Sequence, residues 1–351
     1  MESGGSNRRG AKRITLSDVA AHAGVSRATA SLVIRNSPLV ADDTRERVQA
    51  ALHKLGYVYN QGAASLRTQR SRTVGLVITD ITNPFFAELT LGIDQHLNAA
   101  DYVALLGNTG DSPTKQESLL ATMHQHGVDG LLLCPAQDTQ ATTIQRLWTW
   151  RVPFVLVVRY LVGIEADYVG TDNALGAKLA VEHLLAHGHQ RIAFVGGPAN
   201  SSARRDRLAG YRSALAAWDR PFDASLLIAC SPTRSEGYRA IQELLTLSDP
   251  PTAALCYSDV VAFGAMLGLR SMGRTIGADF AVIGFDDIDE AALWSPALTT
   301  VSSVPAEVGA EAARLLIERT ANPNNAPRQI ILQPRLVIRA SCGCHELPRG
   351  S

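Results

Sequence analysis

The sequence has no run approaching the ~20 consecutive apolar residues of a membrane-spanning helix, so no membrane partner is expected. Residues 1–10 are polar and rich in Gly, Ser and Arg, the reverse of a secretory leader's apolar core. Cysteine is scarce, with five in 351 residues. Cys134, Cys230 and Cys256 lie scattered in apolar contexts and read as buried thiols of a reduced, cytoplasmic protein. Cys342-Gly343-Cys344 has no second ligand pair and lacks zinc spacing, so no metal is expected. No Gly-x-Gly-x-x-Gly opens a helix, Gly196-Gly197-Pro198 is too weak a signal, and no nucleophile stands beside a base. These absences argue against an enzyme and against a cofactor. A solute-binding protein would want a secretory leader, which is also missing.

Net charge is absent too, but only in the sum. Residues 1–70 hold eleven Lys and Arg against five Asp and Glu, whereas the remainder holds 22 against 28. A basic head on an acidic body suits nucleic-acid contact confined to the head. At 351 residues, 46% of them hydrophobic, the chain suits two or three domains with sizeable cores.

The head carries a specific pattern. Leu16, Val19, Ala20 and Ala23 share one helical face, and Gly24 ends that helix in the left-handed region. Ser26 caps a second helix from Arg27 to about Arg35, with Ala30 and Val33 inward. Two short helices about a Gly turn make a helix-turn-helix, and a third helix follows over Asp42 to Leu55. Base reading then falls to the exposed start of the second helix. Arg27 suits a bidentate contact to guanine, and Ala28 offers a methyl to thymine. Ser17, Ser26, Thr29 and Ser31 are candidate phosphate contacts, which position without specifying. Asn60 to Leu66 has the makings of a short helix, too short to be stable alone.

From Thr73 the pattern alternates. Strands are expected at Val74 to Ile78, Tyr102 to Leu106, Val128 to Cys134 and Pro153 to Val158. Helices over Glu88 to Ala99, Pro113 to His126 and Thr142 to Trp150 separate them. A second series begins near Thr171, with strands at Arg191 to Val195, Leu226 to Ala229, Ala253 to Tyr257 and Phe280 to Phe285. Its helices run Leu175 to Ala186, Arg205 to Ala217, Ser235 to Leu247 and Val260 to Ser271. Ser295 to Val301 reads as a connector back to the first lobe. A closing helix over Glu307 to Glu318 and strands at Ile330 to Leu332 and Leu336 to Ile338 complete the pattern. Apolar strands between amphipathic helices mean parallel sheets covered on both faces. The fold class is thus an all-α head on an α/β body of two doubly wound lobes.

Ligands of such sheets bind beyond the carboxyl ends of the strands, in the cleft between lobes. The candidates there are Asp80, Phe85, Phe86, Arg159, Asp172, Arg207, Ser258 and Asp286. Phe85 or Phe86 suits an apolar sugar face; Trp148 and Trp294 read as core. Carboxylate and guanidinium groups together suit vicinal hydroxyls, which favours a carbohydrate.

Thr15-Leu16-Ser17-Asp18-Val19-Ala20-Ala21-His22-Ala23-Gly24-Val25-Ser26 resembles the start of the lactose-repressor family of bacterial transcription regulators. The likeness continues in Thr44-Arg45-Glu46-Arg47-Val48, Leu55-Gly56-Tyr57, Asn60, Ala64-Ser65-Leu66-Arg67 and Asn83-Pro84-Phe85-Phe86, and spans Thr15 to about Cys342. It implies a homodimeric repressor with a periplasmic-binding-protein-like body. Arg27, Ala28 and Leu32 would carry operator specificity. Leu66 would wedge into the minor groove from a hinge helix that includes Asn60. Arg207 and Asp286 would hold the effector, which is a sugar or, alternatively, a purine or other ligand. The chain departs from the family pattern at Leu32, often Arg there, and at Asn36, usually Gly. The expected domains are an arm (1–13), a head (14–58), a hinge (59–72), a body (73–345) and a tail (346–351). Lobe 1 covers about 73–170 and 303–332, and lobe 2 about 171–302 and 333–345.

Overall fold

The computed structural model describes residues 14–34, 36–57 and 70–343. The hinge candidates Asn60 and Leu66, the N-terminal arm and the tail lie outside the described residues. The chain divides into two compact units, residues 1–71 and 72–351.

In the first unit, α1 (Leu16–Ala23) starts on a capping box. Thr15 accepts from the Asp18 N–H, and the Asp18 carboxylate accepts from the Thr15 N–H at 2.8 Å. Gly24, at φ +66°, ends it. Next come α2 (Arg27–Ile34) and α3 (Asp42–Leu55). Val19, Ala20, Ala30, Val33, Val48 and Ala51 form a single buried cluster. Ala20 is buried in this cluster, and its carbonyl receives the Val25 N–H at 3.0 Å, closing the turn.

The second unit holds two six-stranded sheets. The first is built from β1 (Thr73–Ile78), α4 (Pro84–Ala99), β2 (Val103–Asn108), α5 (Pro113–Gln125), β3 (Gly130–Leu133), α6 (Ala141–Thr149), β4 (Phe154–Val157) and β5 (Tyr168–Thr171). The second is built from α7 (Asn173–Ala186), β6 (Ile192–Val195), α8 (Ser202–Ala217), β7 (Leu227–Ile228), α9 (Arg234–Leu244) and β8 (Ala253–Cys256). It continues through α10 (Asp259–Ser271), β9 (Ala281–Asp286), α11 (Glu290–Leu293) and β10 (Thr299–Ser302). Then α12 (Pro305–Ala321) and β11 (Gln329–Leu332) return to the first sheet, and β12 (Arg335–Val337) joins the second. Strand orders are β2-β1-β3-β4-β5-β11 and β7-β6-β8-β9-β10-β12. All pairings are parallel except β12 on β10. The chain therefore crosses between lobes three times: after β5, after β10 and after β11.

Two strands escape the hydrophobic pattern. β5, Tyr168-Val169-Gly170-Thr171, is four residues with an internal Gly. β10 corrects the connector reading of Ser295 to Val301, since Thr299-Thr300-Val301-Ser302 is wholly buried in the second sheet. Its threonines look polar in sequence but have partners inside. Thr300 donates to the Asp259 carboxylate, and Thr299 donates to Cys342 Sγ at 3.2 Å. Helix α4 starts four residues before the expected Glu88, because Asn83 caps it and Pro84 fills its first turn.

Candidate functional site

In the head, Ser17, Arg27 and Ala28 are exposed, and Thr29 and Ser31 are half-buried. Ser26 caps α2, accepting the Thr29 N–H at 3.0 Å, with the two hydroxyls 2.9 Å apart. Leu32 packs against the head's core and is only partly available to a base edge.

In the second unit a cleft of about 550 Å³ opens between the lobes. Its walls are strand ends. Lobe 1 supplies Thr79 and Asp80 after β1, Asp111 after β2, Gln137 after β3, and Val158 and Arg159 after β4. Lobe 2 supplies Gly197 after β6, Ser231 and Thr233 after β7, Tyr257 after β8, and Asp286 ending β9. Phe85 and Phe86, packed edge to face at the start of α4, form its apolar wall. Six of the eight candidates thus meet in one cavity. The other two do not line it. Asp172 is the N-cap of α7, accepting the Leu175 N–H at 2.9 Å. Ser258 is buried as the N-cap of α10. Both were read as ligand-facing because a polar residue after a strand looks the same whether it caps a helix or meets a ligand. Trp294 stacks on Phe263, whereas Trp148, read as core, is half-exposed and borders a separate groove in lobe 1.

Arg207 is the most constrained charge in the cleft. Its Nε donates to Asn173 Oδ1 at 2.8 Å, Nη1 donates to the Tyr257 carbonyl, and Nη2 lies 3.7 Å from Asp286 Oδ1. Its guanidinium lies over the Phe285 ring, 3.5 Å from the centroid. Burial pushes the Asp286 carboxyl well above the usual range, against the pull of Arg207 and with the help of Asp259.

These groups continue into the lobe crossings. Asn173 Nδ2 donates to the Thr171 carbonyl at 3.2 Å, and Thr171 Oγ1 donates to the Ser303 carbonyl at 2.7 Å. Ser303 in turn directs its N–H and hydroxyl to the Asp286 carbonyl, each at 3.4 Å. A closed ring therefore runs Arg207, Asn173, Thr171, Ser303, Asp286 and back. Two of the three crossings are part of it.

Arg159 is set by local strain. Val158 has φ +65°, rare for a β-branched residue, and turns the chain so that the Arg159 N–H meets the Val157 carbonyl at 2.6 Å. Such a conformation costs on the order of 1–3 kcal/mol and persists only where neighbours hold it. Here Val158 N–H donates to Val169, and its carbonyl accepts from the Tyr168 hydroxyl at 3.3 Å. Arg159 Nη1 reaches Asp111 Oδ1 at 2.6 Å. Asp111 was missed in the sequence because β2 extends to Asn108, two residues beyond the expected strand end.

The family model described as bacterial regulatory proteins, lacI family, matches residues 15–60. The model described as periplasmic binding proteins and sugar binding domain of the LacI family matches residues 71–340. This chain belongs to the lacI family of bacterial regulators. It is a sequence-specific DNA-binding transcription regulator, not an enzyme. Among its relatives is the ribose operon repressor of Haemophilus influenzae, 34% identical over 93% of this chain and 98% of that one. The regulator CelR of Thermobifida fusca is 36% identical over 94% and 98%. The solved CelR–cellobiose complex superposes with TM-score 0.72 at 34% identity, covering 94% of this chain and 100% of that one. The lac repressor dimer bound to operator and the anti-inducer ONPF gives 0.84 at 26% identity, covering 94% and 99%.

One buried carboxylate beneath the cleft sets a pH dependence. Asp259 accepts from Thr300 and from the Ile288 N–H, and burial pushes its carboxyl up to about 7. The folded state thus holds this proton more tightly than the unfolded state, whose ordinary value is 3.8. The contribution is fully present below about 4 and is lost as pH rises toward 7, with a slope of at most ~1.4 kcal/mol per pH unit. His183, which burial lowers to about 4, has the opposite slope between about 4 and its ordinary 6.5, and contributes equally to wild type and variant. Urea titrations from pH 4.5 to 8 should show wild-type stability falling relative to Asp259→Asn. Parallel curves would refute the assignment.

Proposed function

We propose that this regulator is a cytoplasmic homodimeric repressor whose operator affinity is set by a carbohydrate bound between the lobes. The observation that carries the reading is the closed ring from Arg207 and Asp286 into the lobe crossings. A ligand that engages either side chain acts on the same hydrogen bonds that join the lobes. Ligand binding then biases lobe geometry, as coupled equilibria require. Hydroxyl-binding groups beside Phe85 and Phe86 support a sugar, and the ribose and cellobiose associations of the relatives agree with it. A purine is the second reading, since relatives named as the repressor PurR are 31% identical over 93% of the chain.

In the head, Arg27 and Ala28 would read base edges. Ser17, Ser26, Thr29 and Ser31 would position the helix on phosphates, and Leu32 would contribute from its half-buried site. Leu66 would wedge the minor groove, with Asn60 capping the hinge helix. A thermal-shift panel of the full chain against ribose, cellobiose, maltose and purines tests the effector. A ligand at ~100 times its Kd adds roughly 2.7 kcal/mol. A purine hit with no sugar hit would reverse the ranking. On DNA, Arg27→Ala should relax specificity at one base pair by about 1–3 kcal/mol. Leu66→Ala should weaken the operator complex without weakening effector binding. Unchanged operator affinity in binding titrations would sink the hinge assignment.

A further inference from the structure

The charges of the cleft are already matched before any ligand arrives. Its lining holds two cations, Arg159 and Arg207, no lysine, and three carboxylates, Asp80, Asp111 and Asp286. Two of the carboxylates, Asp80 and Asp111, balance the two cations, while burial favours the protonated form of Asp286. Each arginine is also committed. Arg159 Nη1 donates to Asp111 at 2.6 Å and to the Pro135 carbonyl at 3.3 Å. Arg207 directs donors to Asn173, Tyr257 and Asp286, and its face is covered by Phe285. Arg204, the nearest other buried cation, lies outside the lining with its Nε on the Gly196 carbonyl.

Both pairs are internal to one lobe. Asp111 and Arg159 belong to lobe 1, Arg207 and Asp286 to lobe 2, so neither pair depends on lobe closure. Asp111 is held from several sides. Its N–H donates to the Thr79 carbonyl and the Thr109 hydroxyl, and its Oδ1 also accepts the Gln137 N–H at 2.9 Å. A carboxylate fixed in this way does not swing aside for a second anion. A phosphorylated ligand would have to displace it or sit unpaired beside the carboxylates of Asp80 and Asp111, and like charges brought together cost several kcal/mol. An uncharged polyol faces neither penalty. It can donate hydroxyls to the outward lone pairs of Asp80, Asp111 and Asp286 and rest a ring on Phe85 or Phe86.

We propose that the cleft selects an uncharged polyhydroxylated ligand, and that Asp111 enforces the choice by occupying the guanidinium of Arg159. This rests on the reading of the cleft as the effector site. The test uses the full chain, calorimetry, inorganic phosphate and two matched pairs: ribose with ribose 5-phosphate, and glucose with glucose 6-phosphate. Wild type should show no binding of inorganic phosphate and at least ~100-fold preference for any sugar it binds over that sugar's phosphate. Asp111→Asn keeps an acceptor for the Gln137 N–H but frees Arg159. It should gain at least tenfold in affinity for phosphate or a phosphorylated sugar, and Asp111→Asn with Arg159→Met should lose that gain. Wild type binding a phosphorylated member as tightly as its neutral partner overturns the proposal. So does a folded Asp111→Asn that gains nothing. If wild type binds no sugar of either kind, the carbohydrate reading fails on its own, and the inorganic phosphate measurements still decide the role of Asp111.

Discussion

Arg207→Ala should abolish effector binding and destabilise the full chain by about 3 kcal/mol, the low end for breaking a buried ion pair. The low end applies because the contact to Asp286 is a single one at 3.7 Å, and because burial already favours the protonated carboxyl. The variant removes two hydrogen bonds and the ion contact at once and uncovers the Phe285 ring. It also leaves Asp286 buried with no cation, so the proton that burial already favours is held more tightly still. The loss should therefore grow as pH rises through the raised range in which wild-type Asp286 ionises beside Arg207, because in the variant that ionisation has no compensation. Exchanging both partners for apolar residues, Arg207→Met with Asp286→Leu, should restore much of the stability, since an apolar pair has no charge to desolvate. It should not restore effector binding. Denaturant titrations at pH 5 and pH 8 separate these outcomes. An Arg207→Ala chain that binds effector normally would remove this residue from the site.

The second large effect is expected at Gly264. A methyl added there would lie 1.9 Å from the Arg234 carbonyl oxygen on α9. The same close approach recurs at Gly237 against Val261, Gly210 against Ala174, Gly92 against Ala306 and Gly309 against Leu89, with separations of 2.0 to 2.2 Å. Three helix pairs, α9 with α10, α7 with α8 and α4 with α12, thus touch backbone to backbone. On helix propensity alone Gly264→Ala should stabilise by about 1 kcal/mol. Overpacking typically costs 1–3 kcal/mol, and more where backbone is the obstacle, since a carbonyl in a helix cannot swing away as a side chain can. The clash wins. Gly264→Ala should lower the melting temperature by several degrees, and an unchanged or raised melting temperature would show that the helices slide apart at little cost.

Much of this architecture was legible in the order of residues. The turn at Gly24, the apolar faces of the head helices and most strands of both lobes follow from hydrophobic period and from capping. Short-range rules suffice there, because a cap or a buried face is set by residues within one or two turns. β5 and β10 were not legible. Thr299 and Thr300 read as polar linker until Asp259 and Cys342, far away in sequence, are seen to receive their hydroxyls. Asp172 and Ser258 show the converse, since strand-end polarity alone does not distinguish a cap from a ligand contact.

Residue order alone was enough for the class: a basic helix-turn-helix head, two α/β lobes, and a shortlist of charges at strand ends. Which of those charges are neutralised is set by packing in three dimensions. Asp111 and Arg159 are 48 residues apart and meet because β2 and β4 end on the same edge of one sheet. Asn173, Thr171 and Ser303 join Arg207 to Asp286 because the chain crosses between lobes at those residues. Local propensity cannot encode either arrangement, since each depends on strand ends and crossings distant in sequence being brought together in space.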